Sequence, residues 1–146
     1  LICNHILFQA NYEVMKKNKY GRIINIISTS VKQPIPNLGV SNTIRGAVAS
    51  WAKTLSFEVA EHGITVNNIL PGYTDTDRLS SLIYSKATSS EVSTDKVVQT
   101  MKQSVPSKRF GLPEEIAKTI AFLASPATGY INGVSLAVDG GRLTCI

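Results

Sequence analysis

The stretch SNTIRGAVASWAKTLSFEVAEHG, residues 41–63, decides the fold. Within it Ile44, Val48, Trp51, Leu55 and Val59 form an apolar stripe at helical spacing, while Gly46, Ala47, Ala49, Ser50 and Ala52 leave room for close packing. The pattern predicts a helix from about 41 to 62. It ends at His62, favourable near a helix C-terminus, and at Gly63, able to take the left-handed cap. Ahead of it, GRIINIIS (21–28) is a β-branched run too apolar for one wet face, as in a parallel strand covered on both sides. After it, ITVNNILPG (64–72) is a second buried strand, broken by Pro71 and Gly72. Strand, helix and strand joined by short links predict a right-handed parallel crossover.

The flanking segments extend this pattern. Residues 1–17 place Leu1, Ile2, Ile6, Leu7, Ala10, Val14 and, less regularly, Met15 at helical spacing, which predicts a helix with no visible start. Region 73–108 is polar and rich in Ser and Thr, which predicts two short helices in a mobile flap. PEEIAKTIAFLAS (113–125) opens a helix with Pro113 and two acidic residues, with Ile116, Ile120 and Leu123 on its buried face. GVSLAVDGG (133–141) supplies the last strand. Strands near 22–28, 64–70 and 134–139 are expected to lie parallel. No internal repeat or second domain is visible, so residues 1–146 read as a single domain.

At 146 residues with 43% hydrophobic positions, the chain is large enough to bury a core. No uncharged apolar run reaches the roughly 18 residues of a membrane span, and LICNHILFQA lacks the basic leader and cleavage site of a signal peptide. A cytoplasmic location is expected. Cys3 and Cys145 have no CxxC partner or flanking His cluster, so they read as ordinary thiols, with neither a metal site nor a disulfide framework. The net charge of +5 arises partly from KKNKYGR (16–22), which has no interleaved stacking aromatics beyond Tyr20. It reads as a solvated helix end and not a nucleic-acid patch.

Five ordered motifs carry a resemblance: GRIINIIS, the helix thirteen residues after its serine, GITVNNILPGYTDTD, KRFGLPEEIAKTIAFLAS and YINGVSLAVDGG. Together they closely resemble the second half of a short-chain dehydrogenase/reductase, and most of all the 3-oxoacyl-(acyl-carrier-protein) reductase group. The resemblance implies an α/β fold, the C-terminal half of a Rossmann-like, doubly wound parallel sheet in three α/β/α layers, with the first, nucleotide-binding half absent. No Gly-rich strand-turn-helix appears, so the element that would place pyrophosphate on a helix N-terminus is not among these residues.

The family's reaction moves a hydride between NAD or NADP and a carbonyl or alcohol. By resemblance, the carbonyl-polarising serine falls on Ser28, the proton-exchanging tyrosine on Ser41, the supporting lysine on Arg45, and the relay asparagine just ahead of Leu1. An aliphatic hydroxyl is a far weaker acid than a phenol of pKa about 10, so Ser41 cannot readily cycle through its anion. Arg45 can still donate hydrogen bonds to a ribose. Pro71 and Gly72 turn the backbone, Thr74 would offer main-chain groups to the carboxamide and Thr76 a hydroxyl. This cofactor edge would hold a dinucleotide weakly by itself. The literal YxxxK, Tyr12 to Lys16, precedes the serine strand and cannot replace a pair that follows it. Tyr73 is the candidate substitute acid; a ring that merely covers its loop is the alternative.

Three readings follow. The first is the substrate-side half of an NAD(P)-dependent reductase of small carbonyl or acyl compounds, inactive alone. The second is a non-catalytic subunit that joins other reductase subunits. The third is a truncated gene remnant. Association is expected, either with a separate first half or as a homo-dimer or tetramer through the helices near 1–17 and 41–62 or through the pair formed by 114–124 and the last strand.

Overall fold

A computed structural model describes residues 1–145. Its elements are α1 (Ile2–Asn18), β1 (Gly21–Ile26), α2 (Gly39–Glu58), β2 (Ile64–Pro71), α3 (Asp77–Ser89), α4 (Thr94–Gln103), α5 (Pro113–Ala124) and β3 (Ser135–Val138). The three strands form one sheet in the order β1-β2-β3. Both pairings are parallel, with Gly21 opposite Ile64 and Asn68 opposite Ser135. The architecture is the expected α/β sandwich of three layers.

Side-chain alternation along the strands assigns the layers. Ile23, Ile64 and Val66 meet Ala52 and Leu55 of α2, Val59 just past its end, and Phe8, Tyr12 and Met15 of α1. On the opposite face Ile24, Ile69 and Val138 meet Ile116, Ile120 and Leu123 of α5, as their spacing predicts. β2 is buried on both faces, with Ile64, Val66, Ile69 and Leu70 at most 1% exposed. Burying such a side chain contributes about 1.5–3 kcal/mol, so β2 is the thermodynamic centre of the domain. β1 departs from the two-sided cover expected for it, because Ile26 is 56% exposed at the sheet edge.

Both ends of α2 differ from the boundaries that the sequence pattern predicts. α2 starts at Gly39 with Leu38 at its cap and no side-chain capping bond, so Ser41 lies inside the first turn. It ends at Glu58, and a 3₁₀ turn over Ala60–His62 leads to Gly63 at φ 71°, the left-handed closure expected there. α1 turns Phe8, Tyr12 and Met15 to the sheet. The stripe of Ile2, Ile6, Leu7 and Val14 is exposed instead. Aromatic contacts decide that rotation: Phe8 lies 5.1 Å from Tyr12 and 6.4 Å from Trp51.

The 73–108 region forms two helices, and they share a small core of Leu79, Ala87, Val97 and Met101 with Tyr73 and Phe110 packed against it. Basic residues of the 16–22 segment hold the fold: Arg22 stacks 4.3 Å over Tyr20, whose hydroxyl donates to the Ala124 carbonyl at 2.6 Å. No helix among the described residues is long and apolar enough to cross a membrane.

Candidate active site

The C-terminal ends of parallel strands, where backbone leaves the sheet, are where an α/β fold forms its ligand crevice. After β1 the chain passes Ile27 and Ser28 into a 3₁₀ turn over Thr29–Val31. Ser28 Oγ accepts from the Ser30 N–H at 3.1 Å, capping that turn. β1 therefore stops two residues short of Ser28, which sits on the turn and not on the strand as the sequence suggested. The Ile27 N–H still bonds to the Ile69 carbonyl at 2.9 Å, which fixes where Ser28 leaves the sheet.

Ser41 and Arg45, one turn apart on α2, are joined directly: Arg45 Nε donates to Ser41 Oγ at 3.2 Å. Arg45 Nη1 also donates to the Ile27 carbonyl at 2.6 Å, tying the first turns of α2 to the end of β1. Both side chains line a cleft of about 710 Å³ with Asn4, Ile27, Ile44 and Val48. Ser28 is not among its lining residues, although Arg45 holds the carbonyl immediately before it. Because Ser41 Oγ accepts from Arg45, its own hydrogen is left to point into the cleft. The pair can orient and hydrogen-bond a carbonyl or hydroxyl.

The predicted cofactor edge lies on the loop after β2. Gly72 N–H donates to the Val138 carbonyl at 3.0 Å, and a Cβ there would lie 2.8 Å from the Asp139 Cα, so the turn needs glycine. Pro71, paired with Val138, ends β2. The residues on either side of Thr74 bond to Gly111: Asp75 N–H to its carbonyl and Gly111 N–H to the Tyr73 carbonyl, both at 2.8 Å. Thr76 caps α3 by accepting from the Leu79 N–H at 3.4 Å. Thr76 is thus committed at its hydroxyl to a helix start, a structural role the sequence did not suggest.

The Tyr12 and Lys16 pair lies on α1, where Lys16 Nζ is 5.6 Å from the Tyr12 ring. Tyr12 packs 6.1 Å from His62, at the opposite end of the strands from the cleft. Tyr73 meets Phe110 edge-on at 6.2 Å, and its hydroxyl accepts from Arg142 Nη2 at 3.0 Å. Ring cover and a polar contact therefore coexist at that residue.

Two features near the site were missed in the sequence. A row of side chains crosses the sheet: Asn4 Nδ2 donates to Asn25 Oδ1 at 3.0 Å, Asn25 Nδ2 to Asn68 Oδ1 at 3.1 Å, and Asn68 Nδ2 to Ser135 Oγ at 3.1 Å. The signal was there, since Asn25 of β1 and Asn68 of β2 sit among apolar residues in strands too buried for water and must find partners. The second is Arg109, which grips Glu115 through both guanidinium nitrogens at 2.7 and 2.6 Å. Arg109 and the Leu112 N–H hold the Glu115 carboxyl down at about 2. No group of His, Cys, Asp and Glu among the described residues could hold a metal ion. Cys3 and Cys145 are free and exposed.

Residues 3–142 match the family model described as enoyl-(acyl carrier protein) reductase. The chain belongs to the short-chain dehydrogenase/reductase family. Within the family it is 35% identical over 133 residues to the NADPH-dependent reductase BacG of Bacillus subtilis (strain 168), covering 91% of this chain and 51% of that protein. It is 40% identical over 129 residues to the 3-oxoacyl-[acyl-carrier-protein] reductase FabG of Vibrio cholerae, covering 87% of this chain and 48% of FabG. The crystal structure of YwfH, an NADPH-dependent reductase involved in bacilysin biosynthesis, superposes with a TM-score of 0.93 at 32% identity, covering 99% of this chain and 56% of YwfH. The chain spans about half the length of the family members it matches.

Proposed function

We propose that the chain is the substrate-side half of an oxidoreductase that moves a hydride between NAD(P)H and a carbonyl of the 3-oxoacyl type. The observation that carries this reading is the Ser41–Arg45 hydrogen bond beside the Ile27 carbonyl, at the strand ends where the fold forms its crevice. Residues 1–146 form a single partial Rossmann-like domain. Its relatives supply the reaction class: BacG is an NADPH-dependent reductase and FabG a 3-oxoacyl-[acyl-carrier-protein] reductase.

The residues around the cleft fit the nicotinamide-ribose end of the dinucleotide. Arg45 Nη2 and the Thr74 N–H have no hydrogen-bond partner among the described residues. In this reading Arg45 at the cleft and Pro71, Gly72, Thr74 and Thr76 on the loop after β2 make up the edge, Thr76 by its backbone since its hydroxyl caps α3, and nothing in the set replaces a Gly-rich turn for pyrophosphate, so the isolated chain binds the dinucleotide weakly. When bound, the nicotinamide supplies the hydride. Ser41 orients the carbonyl by hydrogen bonding in the cleft, with Ser28, on the turn just past the Ile27 carbonyl, as the second candidate hydroxyl, while Arg45 holds Ser41 Oγ and keeps positive charge beside the oxygen. Neither serine can deliver the proton through its anion, because an aliphatic alcohol is too weak an acid. Reduction is therefore slower than in a relative with tyrosine and lysine, by about 10²- to 10⁴-fold.

Association completes the unit, either with a separate first half or as a homo-dimer or tetramer, in the cytoplasm. Exposed Ile6 and Leu7 on α1 and Val40, Ile44 and Phe57 on α2 favour a helix-mediated contact. The second reading is a non-catalytic subunit, favoured by Arg45 being anchored to the Ile27 backbone as a strut. The two separate in an assay of the chain joined to a competent first half, with NADPH and NADH and a 3-oxoacyl substrate. Slow, substrate-dependent oxidation of the dinucleotide supports the oxidoreductase. Stable assembly without turnover supports the subunit.

A further inference from the structure

A second cleft, of about 320 Å³, opens between the loop at 33–36, which leads directly into the Asn37 lining of the first cleft, and the segment after β3. Thr29, Gln33, Tyr73, Ser104 and Arg142 line it, and no acidic side chain does. The turn that presents Arg142 is built for the purpose of holding it still. Asp139 accepts from the Gly141 N–H at 3.0 Å and from the Leu143 N–H at 2.8 Å, and Gly140 and Gly141 take the left-handed φ values of 66° and 84° that the turn requires. The Asp139 carboxylate, three residues before Arg142, is thereby engaged with backbone amides. The Arg142 guanidinium stacks 4.1 Å over the Tyr73 ring while Nη2 donates to the Tyr73 hydroxyl. Among the described residues Arg109 pairs with Glu115, and no carboxylate there pairs with Arg142.

A half-buried guanidinium with a fixed plane, unused donors and no counter-charge among the described residues is suited to a carboxylate, since the planar fork accepts an oxyanion side by side. We propose that Arg142 binds the carboxylate of the carbonyl substrate, so that within the 3-oxoacyl type the substrate is a small free oxo acid and not a carrier-bound thioester, which has no carboxylate to offer. A single cation lines the cleft, which suits one negative charge better than a phosphate dianion. The inference rests on the reductase reading and adds its substrate class.

The test is a titration of the intact chain with acetoacetate, methyl acetoacetate and inorganic phosphate, followed by the backbone ¹H–¹⁵N NMR signals of Gly141 and Leu143, which flank residue 142 and are kept in every variant. Acetoacetate is expected to saturate with at least about 10-fold higher affinity than its uncharged ester, the worth of one charge-assisted contact. Arg142→Gln should abolish that difference, Tyr73→Phe should reduce it by freeing the guanidinium, and Arg109→Gln, outside the cleft, should leave it intact. Equal affinity for acid and ester, or tighter binding of phosphate than acetoacetate, overturns the proposal without any variant being needed. Because the readout is binding, failure of the reductase reading would leave the acid preference in place. Failure of the inference would instead leave a reductase of neutral ketones.

Discussion

Asn68→Leu is expected to destabilise the domain by about 1–3 kcal/mol, and a second substitution should partly repair it. Asn68 is 3% exposed and Asn25 7% exposed, so water cannot replace either partner. The substitution removes the acceptor of Asn25 Nδ2 and the donor to Ser135 Oγ, each at 3.1 Å. The half-buried Ser135 can turn to solvent, but the Asn25 N–H is stranded, and a stranded buried donor costs about 1–3 kcal/mol. Asn25→Leu alone has the mirror effect on Asn68 Oδ1. In the double variant neither group remains to be stranded, so its cost should fall below the sum of the singles by about 1–2 kcal/mol, within the range for directly bonded pairs. Urea unfolding followed by Trp51 fluorescence is the assay, because the only tryptophan packs 6.3 Å from His5 on this face of the sheet. At a urea slope of about 1–3 kcal/mol/M, each single should lower the midpoint by roughly 1 M. Additive costs within about 0.3 kcal/mol would refute the idea that the row acts as one unit.

Three further outcomes are expected. Glu115, held at about 2 by Arg109 and the Leu112 N–H, contributes stability that is present above the unfolded carboxyl value of about 4.3 and lost as pH falls toward 2. Acid unfolding curves of wild type and Glu115→Gln should therefore differ at neutral pH and converge toward pH 2; a gap independent of pH would contradict this. Gly72→Ala should lower thermal stability by about 1–3 kcal/mol, since the new methyl meets the Asp139 backbone and not a flexible side-chain tip. Ile6→Asp together with Phe57→Asp, at positions 57% and 71% exposed, should shift sedimentation toward monomer without unfolding the chain. An unchanged distribution would place the contact elsewhere.

The fold was legible because its signals are local. GRIINIIS, the small-residue helix and ITVNNILPG each state their own period, and β2 is buried on both faces as read. The face of α1 was not legible, because Phe8 and Tyr12 compete with an aliphatic stripe. Only the position of Trp51 on α2 decides which side turns inward. At the site, the Ser41–Arg45 contact follows from helical spacing, while the grip on the Ile27 carbonyl depends on where α2 crosses β1. Arg142 was invisible for the same reason. Its role comes from Tyr73, 69 residues earlier, and from an Asp139 carboxylate already engaged with backbone amides.

The account turns on whether Ser41 and Arg45 have removed the proton donor. The direct measurement is the rate of 3-oxoacyl reduction by the chain joined to a competent first half, before and after Ser41→Tyr combined with Arg45→Lys. The double substitution should raise the rate by a substantial part of the 10²- to 10⁴-fold that general acid catalysis contributes, and Ser41→Tyr alone by less. A rate already at the level of a tyrosine-lysine relative with Ser41 and Arg45 in place would contradict the account and direct attention to the hydroxyl of Tyr73.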